Sequence, residues 1–185
     1  MKYKVQTLNK PNISDFAKER NDLLQKSETD WNLFLDLDET ISNFQFPISN
    51  QFSCYQFPRK NFFLGQFVGT DKIIRLVKKG TGKFVRRVHE VWKPNNPKLV
   101  GLVDTPIIHN TSDNLKDYLY KINNYSTLHA KANLEEGKKS SLLNIIIYPI
   151  GNFAVYLFKS RNIVFSIMKS LHSYLSWTKL YFLQH

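Results

Sequence analysis

Acidic residues are scarce in this chain: 15 Asp and Glu stand against 26 Lys and Arg, leaving a formal charge of +11 over 185 residues. That balance favours polyanionic partners, whether nucleic acid, anionic lipid or phosphorylated substrates. Cysteine occurs once, so no internal disulfide can form and a reducing compartment suits the protein. Seven Gly and seven Pro are too few for a collagen-like or low-complexity chain, and 42% hydrophobic residues exclude a disordered tail. The first ten residues hold no apolar run that could act as a secretory signal, which predicts a cytoplasmic protein. The G-x-S-x-G, Walker, G-x-G-x-x-G and C-x-x-C patterns are all missing. So are helix-turn-helix, zinc and RNP-type patterns, and the basic cluster at residues 78–87 with Phe84 among it is not assigned to nucleic acid.

What is present changes character twice. The first part reads as α/β. Asn12 or Ser14 can cap a helix with apolar positions Ile13, Phe16, Ala17, Leu23 and Leu24, and residues 31–35 form a short apolar run that predicts a buried strand. From about residue 52 to 92 aromatic and β-branched residues dominate, and the Gly-containing segment 78–83 is placed as a hairpin loop between runs 73–77 and 84–88. After His109 the period turns helical: Ser112 can cap, Leu115, Leu119, Ile122, Tyr125 and Ala132 form a stripe, and Gly137 offers a stop. Residues 140–158 carry no charge, close to the roughly 20 residues that span a bilayer. Asn144, Pro149, Gly151 and Asn152 interrupt the run, so it reads as interfacial or core-packed before transmembrane. Residues 161–185 mix Lys and Arg with large apolar side chains, as in a basic amphipathic helix on a membrane surface or an ordinary domain-closing helix.

The chemistry concentrates just past the apolar run, at Asp36, Leu37, Asp38 and Glu39. Ligands of open α/β sheets sit beyond the carboxyl ends of strands. Continued extension would put Asp36 and Asp38 on one face. Two hard oxygen ligands so placed suit Mg or Mn, which can neutralise a leaving diphosphate. Acidic residues also commonly end strands and open turns.

Several segments together carry a family resemblance: Phe16-Ala17-Lys18-Glu19-Arg20-Asn21, Asp30-Trp31 through to Asp36-Leu37-Asp38-Glu39, Arg59-Lys60-Asn61-Phe62, Arg75-Leu76, Val88-His89-Glu90, Ile108-His109-Asn110 and the helix at 117–125. In this order, from about residue 16 to 159, the chain resembles glycosyltransferase family 2, in particular the bacterial branch that builds lipopolysaccharide cores and related surface glycans. The resemblance implies a truncated GT-A-type, Rossmann-like mixed sheet with helices over residues 1–111, followed by a helical, partly amphipathic region at 112–185. It implies transfer of a hexose from a nucleotide-sugar donor to a glycan or lipid-linked acceptor, with a divalent metal, Mn or Mg, as cofactor. Asp36 and Asp38 correspond to the D-x-D metal pair, with His109 facing the metal or diphosphate. Glu39 completes the motif, Glu90 corresponds to the general base with His89 beside it, and Arg59, Lys60 and Arg75 are expected near phosphate.

The family normally begins with a strand, helix and second strand that build the nucleotide-binding half. Residues 1–8 can supply one strand of it, so a missing N-terminal segment or partner is expected. A Gly-Phe-x-Asp-Gly segment of the family is replaced here by residues 160–165. An anionic membrane surface, on the inner face of the cell membrane, is the expected partner of the basic tail. A non-catalytic remnant acting as a peripheral membrane or interaction module stands beside the enzyme reading.

Overall fold

The computed structural model describes residues 2–9, 13–42 and 48–185. Among them the chain is α/β, with a seven-stranded mixed sheet, a separate two-stranded sheet and four α-helices. It forms two compact units, Met1–Asn61 with Thr70–Asn110, and Phe62–Gly69 with Thr111–His185.

In the first unit, β1 (Tyr3–Thr7) is joined to β2 (Trp31–Leu35) by α1 (Phe16–Gln25). The two strands pair in parallel, Tyr3 against Trp31 and Thr7 against Leu35, so both end at the same edge of the sheet. β2 is the buried strand that its apolar run predicts. The cap of α1 is Asp15 rather than Ser14: its carboxylate accepts from Lys18 N at 2.9 Å, satisfying an otherwise orphaned donor. Asn12 lies outside the described residues.

Antiparallel to β2 runs β5 (Gln66–Lys78). The sheet continues through β4 (Cys54–Phe63) and β9 (Ile107–Asn110) to β3 (Glu39–Ile41), while β8 (Val100–Leu102) pairs in parallel with β4. Period-two alternation sends Trp31 and Leu33 into a cluster with Tyr55, Phe57, Leu76 and Ile107. Phe34, on the other face, meets Ala17, Leu24, Cys54, Val77, Phe84 and Trp92.

Segment 78–83 does not close the hairpin expected of it. β6 (Gly82–Val85) pairs with β7 (Val91–Pro94) in the separate sheet. The reason lies on α1: Asn21 donates to Phe84 O and accepts from Phe84 N, both at 2.9 Å, which satisfies the backbone that β5 would otherwise bond. The real hairpin is β4–β5, turned at Leu64 (φ 48) and Gly65 (φ 74), the two positive φ values of a tight primed turn. Phe84 is buried in the core, edge-on to both Phe34 and Trp92, so it offers no stacking surface to a base.

The second unit holds the tip of that hairpin with α2 (Leu115–Glu135), α3 (Leu142–Ser160) and α4 (Ile163–Leu183). Asn114, not Ser112, caps α2, accepting from Asp117 N at 2.8 Å. Gly137 ends it as expected: at φ 75 it donates to Leu134 O, and Lys138 N reaches Asn133 O, both at 2.9 Å. The buried face of α2 is Tyr118, Ile122, Ser126, Ala130 and Asn133, so of the expected stripe only Ile122 lies inside. Phe63, Val68 and Phe165 pack on Tyr118 and Ile122, and Lys179 of α4 bonds Asn123, Ser126 and Thr127. These contacts rotate the helix away from its own apolar periodicity. Burial raises the Tyr118 hydroxyl to about 12.

α3 runs unbroken through Pro149 and Gly151. α4 packs against both α2 and α3, with Trp177 stacked 4.2 Å from Tyr148 and Asn152 Nδ2 donating to Ser173 Oγ at 2.8 Å. Its buried residues face α2 and α3, while Ile163, Val164, Ile167 and Phe182 on α4 are exposed, as are Leu142, Leu143, Ile146, Ile147 and Ile150 on α3.

Candidate functional site

At the shared carboxyl end of β1 and β2 the chain reverses. Glu39 N donates to Asp36 O at 3.0 Å, and Asp36 N donates back to Glu39 Oε2 at 3.1 Å. This turn replaces the extended D-x-D geometry, so Asp36 and Asp38 leave it in different company. Leu37 at its tip is 70% exposed.

Asp36 is gripped by two guanidinium groups. Arg20 Nη2 donates to Asp36 Oδ1, and Arg75 Nη2 lies 2.5 Å from Oδ2. Burial alone would raise the carboxyl pKa; Arg75 and Arg20 outweigh it and hold Asp36 below its ordinary value, against a smaller upward push from Asp38. Arg75 also reaches Glu39 Oε1 at 2.6 Å, and Arg59 Nη1 shares that oxygen at 3.0 Å. Arg59 then makes a two-pronged pair with Asp71, at 2.9 and 2.6 Å. At the other end Arg20 Nε donates to Glu90 Oε1 at 2.7 Å. Charges alternate along the chain Glu90, Arg20, Asp36, Arg75, Glu39, Arg59, Asp71. Burial works against the charge on Arg59, Arg75 and Asp71, and their partners more than reverse it: both guanidinium pKa values rise and that of Asp71 falls.

Arg20 is completely buried and lies 5.5 Å from the centroids of both Phe34 and Phe84. It comes from the inward face of α1, between Ala17 and Leu24. Arg20 Nη1 and Arg75 Nε are buried and have no hydrogen-bond partner among the described residues.

Asp38 turns the other way. Its backbone O accepts from Asn110 N at 2.9 Å, and β3 sets Glu39 opposite His109. Asp38 Oδ2 lies 3.5 Å from His109 Nε2, while His109 Nδ1 lies 2.8 Å from Asn61 Oδ1. His109 is thereby held between Asn61 and Asp38, with Nε2 turned to the carboxylate.

Of the residues expected at a site, Asp36, Asp38, Glu39, Arg59, Arg75, Glu90 and His109 therefore converge. Lys60 does not, since it follows Arg59 on β4 and lies exposed on the opposite face. His89 is exposed in the loop between β6 and β7, at φ 56, with Arg86 at φ 74 in the same loop. The loop replaces the strand expected to run to Val88. Arg59 and Arg75, expected at phosphate, are instead engaged with carboxylates. Arg20, Asp71 and Asn61 had no assigned role. The signal for Arg20 was a charged side chain spaced with Ala17 and Leu24 on one helical face; Asp71 and Asn61 carry none.

Among the described residues, no group of three or more His, Cys, Asp or Glu is placed to hold a metal ion. Both oxygens of Asp36 being taken, that residue does not fit a metal. Asp38 supplies one carboxylate beside His109, and a Mg or Mn site at a phosphate uses one or two carboxylates with phosphate and water completing the shell.

The chain matches no protein-family model and no curated protein. The family likeness rests on the residues quoted for it.

Proposed function

We propose that the first unit carries the reacting centre of a glycosyltransferase that moves a hexose from a nucleoside diphosphate sugar to a glycan or lipid-linked acceptor. One observation carries the reading: five sequence-distant segments bring Asp36, Asp38, Glu39, Arg59, Arg75, Glu90 and His109 to one acidic turn beyond the ends of two parallel strands. Asp38 and His109 would hold the divalent ion, which when bound offsets the charge developing on the departing diphosphate.

Glu90 is the base. Its Oε1 is fixed by Arg20, which leaves Oε2 to accept the proton of the acceptor hydroxyl as that oxygen attacks the anomeric carbon. Attack opposite the diphosphate inverts the anomeric centre, which is the tendency of the resembling family. Arg20, Arg75 and Arg59 act as positioning residues, because their guanidinium groups hold the carboxylates. Asn61 keeps His109 in the orientation that directs Nε2 at Asp38.

The non-catalytic reading is favoured by the complete engagement of Asp36 by arginine. Titration of the full chain with a panel of nucleoside diphosphates, with and without Mn, separates the two. Transferase predicts Mn-dependent binding of one nucleotide that Asp38→Asn and His109→Ala each weaken by roughly tenfold or more while the melting profile holds. If no nucleotide binds, or if binding ignores Mn and both substitutions, the transferase assignment is lost and the remnant stands.

A further inference from the structure

We propose that α3 is an anchor that lies in the plane of an anionic lipid surface, an assignment independent of the transferase reading. Within the second unit α4 packs against α2 and α3, and α3 turns its outward side to solvent. That side is a stripe at helical spacing: Leu142, Leu143, Ile146, Ile147, Ile150 and Phe158 are all exposed, Phe158 by 85%. A stripe from Leu142 to Phe158, about 24 Å at 1.5 Å per residue, is what a helix needs to bury itself among acyl chains. Only 6% of the apolar window is buried within the protein itself.

Charge identifies what covers it. Residues 138–185 contain six Lys or Arg and no Asp or Glu. Exposed Lys139 stands just before α3, and exposed Lys159 and Arg161 stand at its end. Basic groups at both ends of an apolar stripe suit anionic headgroups along the whole helix.

α3 is also long and apolar enough to cross a membrane. Its neighbour decides against that. α4 lies along α3 and would have to cross with it, taking Lys169 and His172 from its middle into hydrocarbon, along with the Asn152–Ser173 bond. Lys169 sits 5.4 Å and 5.2 Å over the rings of Tyr156 and Phe165, and Lys179 is tied to the polar face of α2. An in-plane helix buries the stripe and leaves these groups where they are.

Flotation of the full chain with phosphatidylcholine vesicles, with or without about a quarter phosphatidylglycerol, tests the assignment. The chain is expected to float with the anionic vesicles, to remain behind with the neutral ones, and to come off in alkaline carbonate. Ile147→Glu with Ile150→Glu should weaken flotation by roughly tenfold or more at unchanged helix content. Lys139→Glu with Lys159→Glu, which leaves the apolar stripe intact, should also cost roughly tenfold or more. No flotation with anionic vesicles, or flotation indifferent to both double variants, would overturn the proposal. So would a carbonate-resistant chain, which would mean a spanning helix. A wild-type dimer that Ile147→Glu splits and that does not float would give the face to a second copy.

Discussion

Arg20 presents the sharpest energetic question at the level of single residues, because a fully buried guanidinium must recover its hydration from partners. Asp36 and Glu90 supply charge, and Phe34 and Phe84 supply aromatic faces. Removing it takes from Glu90 the guanidinium that holds Oε1 and leaves Asp36 to Arg75. Arg20→Met is expected to destabilise the first unit by about 3–5 kcal/mol, measured by urea denaturation, whereas an exposed pair such as Lys138 with Glu136 is worth under about 1 kcal/mol. The carboxylates of the network set the acid limit. Asp36 and Asp71 are held below their ordinary value of 3.8 when folded, so their contribution is complete above that pH and is lost as pH falls through the lower folded values. Denaturation midpoints should therefore fall steeply below about pH 4, and Asp71→Asn should flatten that fall.

At the scale of elements, a small number of polar atoms redirect whole strands. Asn21 caps the backbone of Phe84 on both sides, which frees β6 to pair with β7. Asn21→Ala leaves a buried donor and acceptor unmet and is expected to lower stability by about 2 kcal/mol, with hydrogen exchange of β6 amides rising first. The β4–β5 turn depends on Gly65 at φ 74, so Gly65→Ala should cost about 1 kcal/mol in a thermal melt although nothing lies within 4 Å of the added carbon. Neither dependence was visible in composition. The Gly-rich 78–83 segment looked like the better hairpin, and Leu64 is an uncommon residue at positive φ.

For the molecule as a whole, the division into units does not follow a single cut in the chain. Phe63 and Val68, from the hairpin tip, belong to the core of the second unit with Tyr118, Ile122 and Phe165. A fragment beginning at Thr111 therefore lacks two of those five buried side chains, and its circular dichroism melt should be broad and non-cooperative where that of the full chain is sharp.

The sequence by itself determined whatever depends on neighbours along the chain. The buried strand β2, the acidic cluster that follows it in sequence, the helical character beyond His109, the Gly137 stop and the uncharged run in α3 all follow from local periodicity and from the conformational limits of single residues. Tertiary structure decided the rest. Which carboxylate pairs with arginine and which with histidine, the inward turn of Arg20 and the rotation of α2 depend on side chains as distant in sequence as Asp38 and His109. Ion pairing and packing act through distance in space, which spacing along a chain encodes only where the intervening segment is regular.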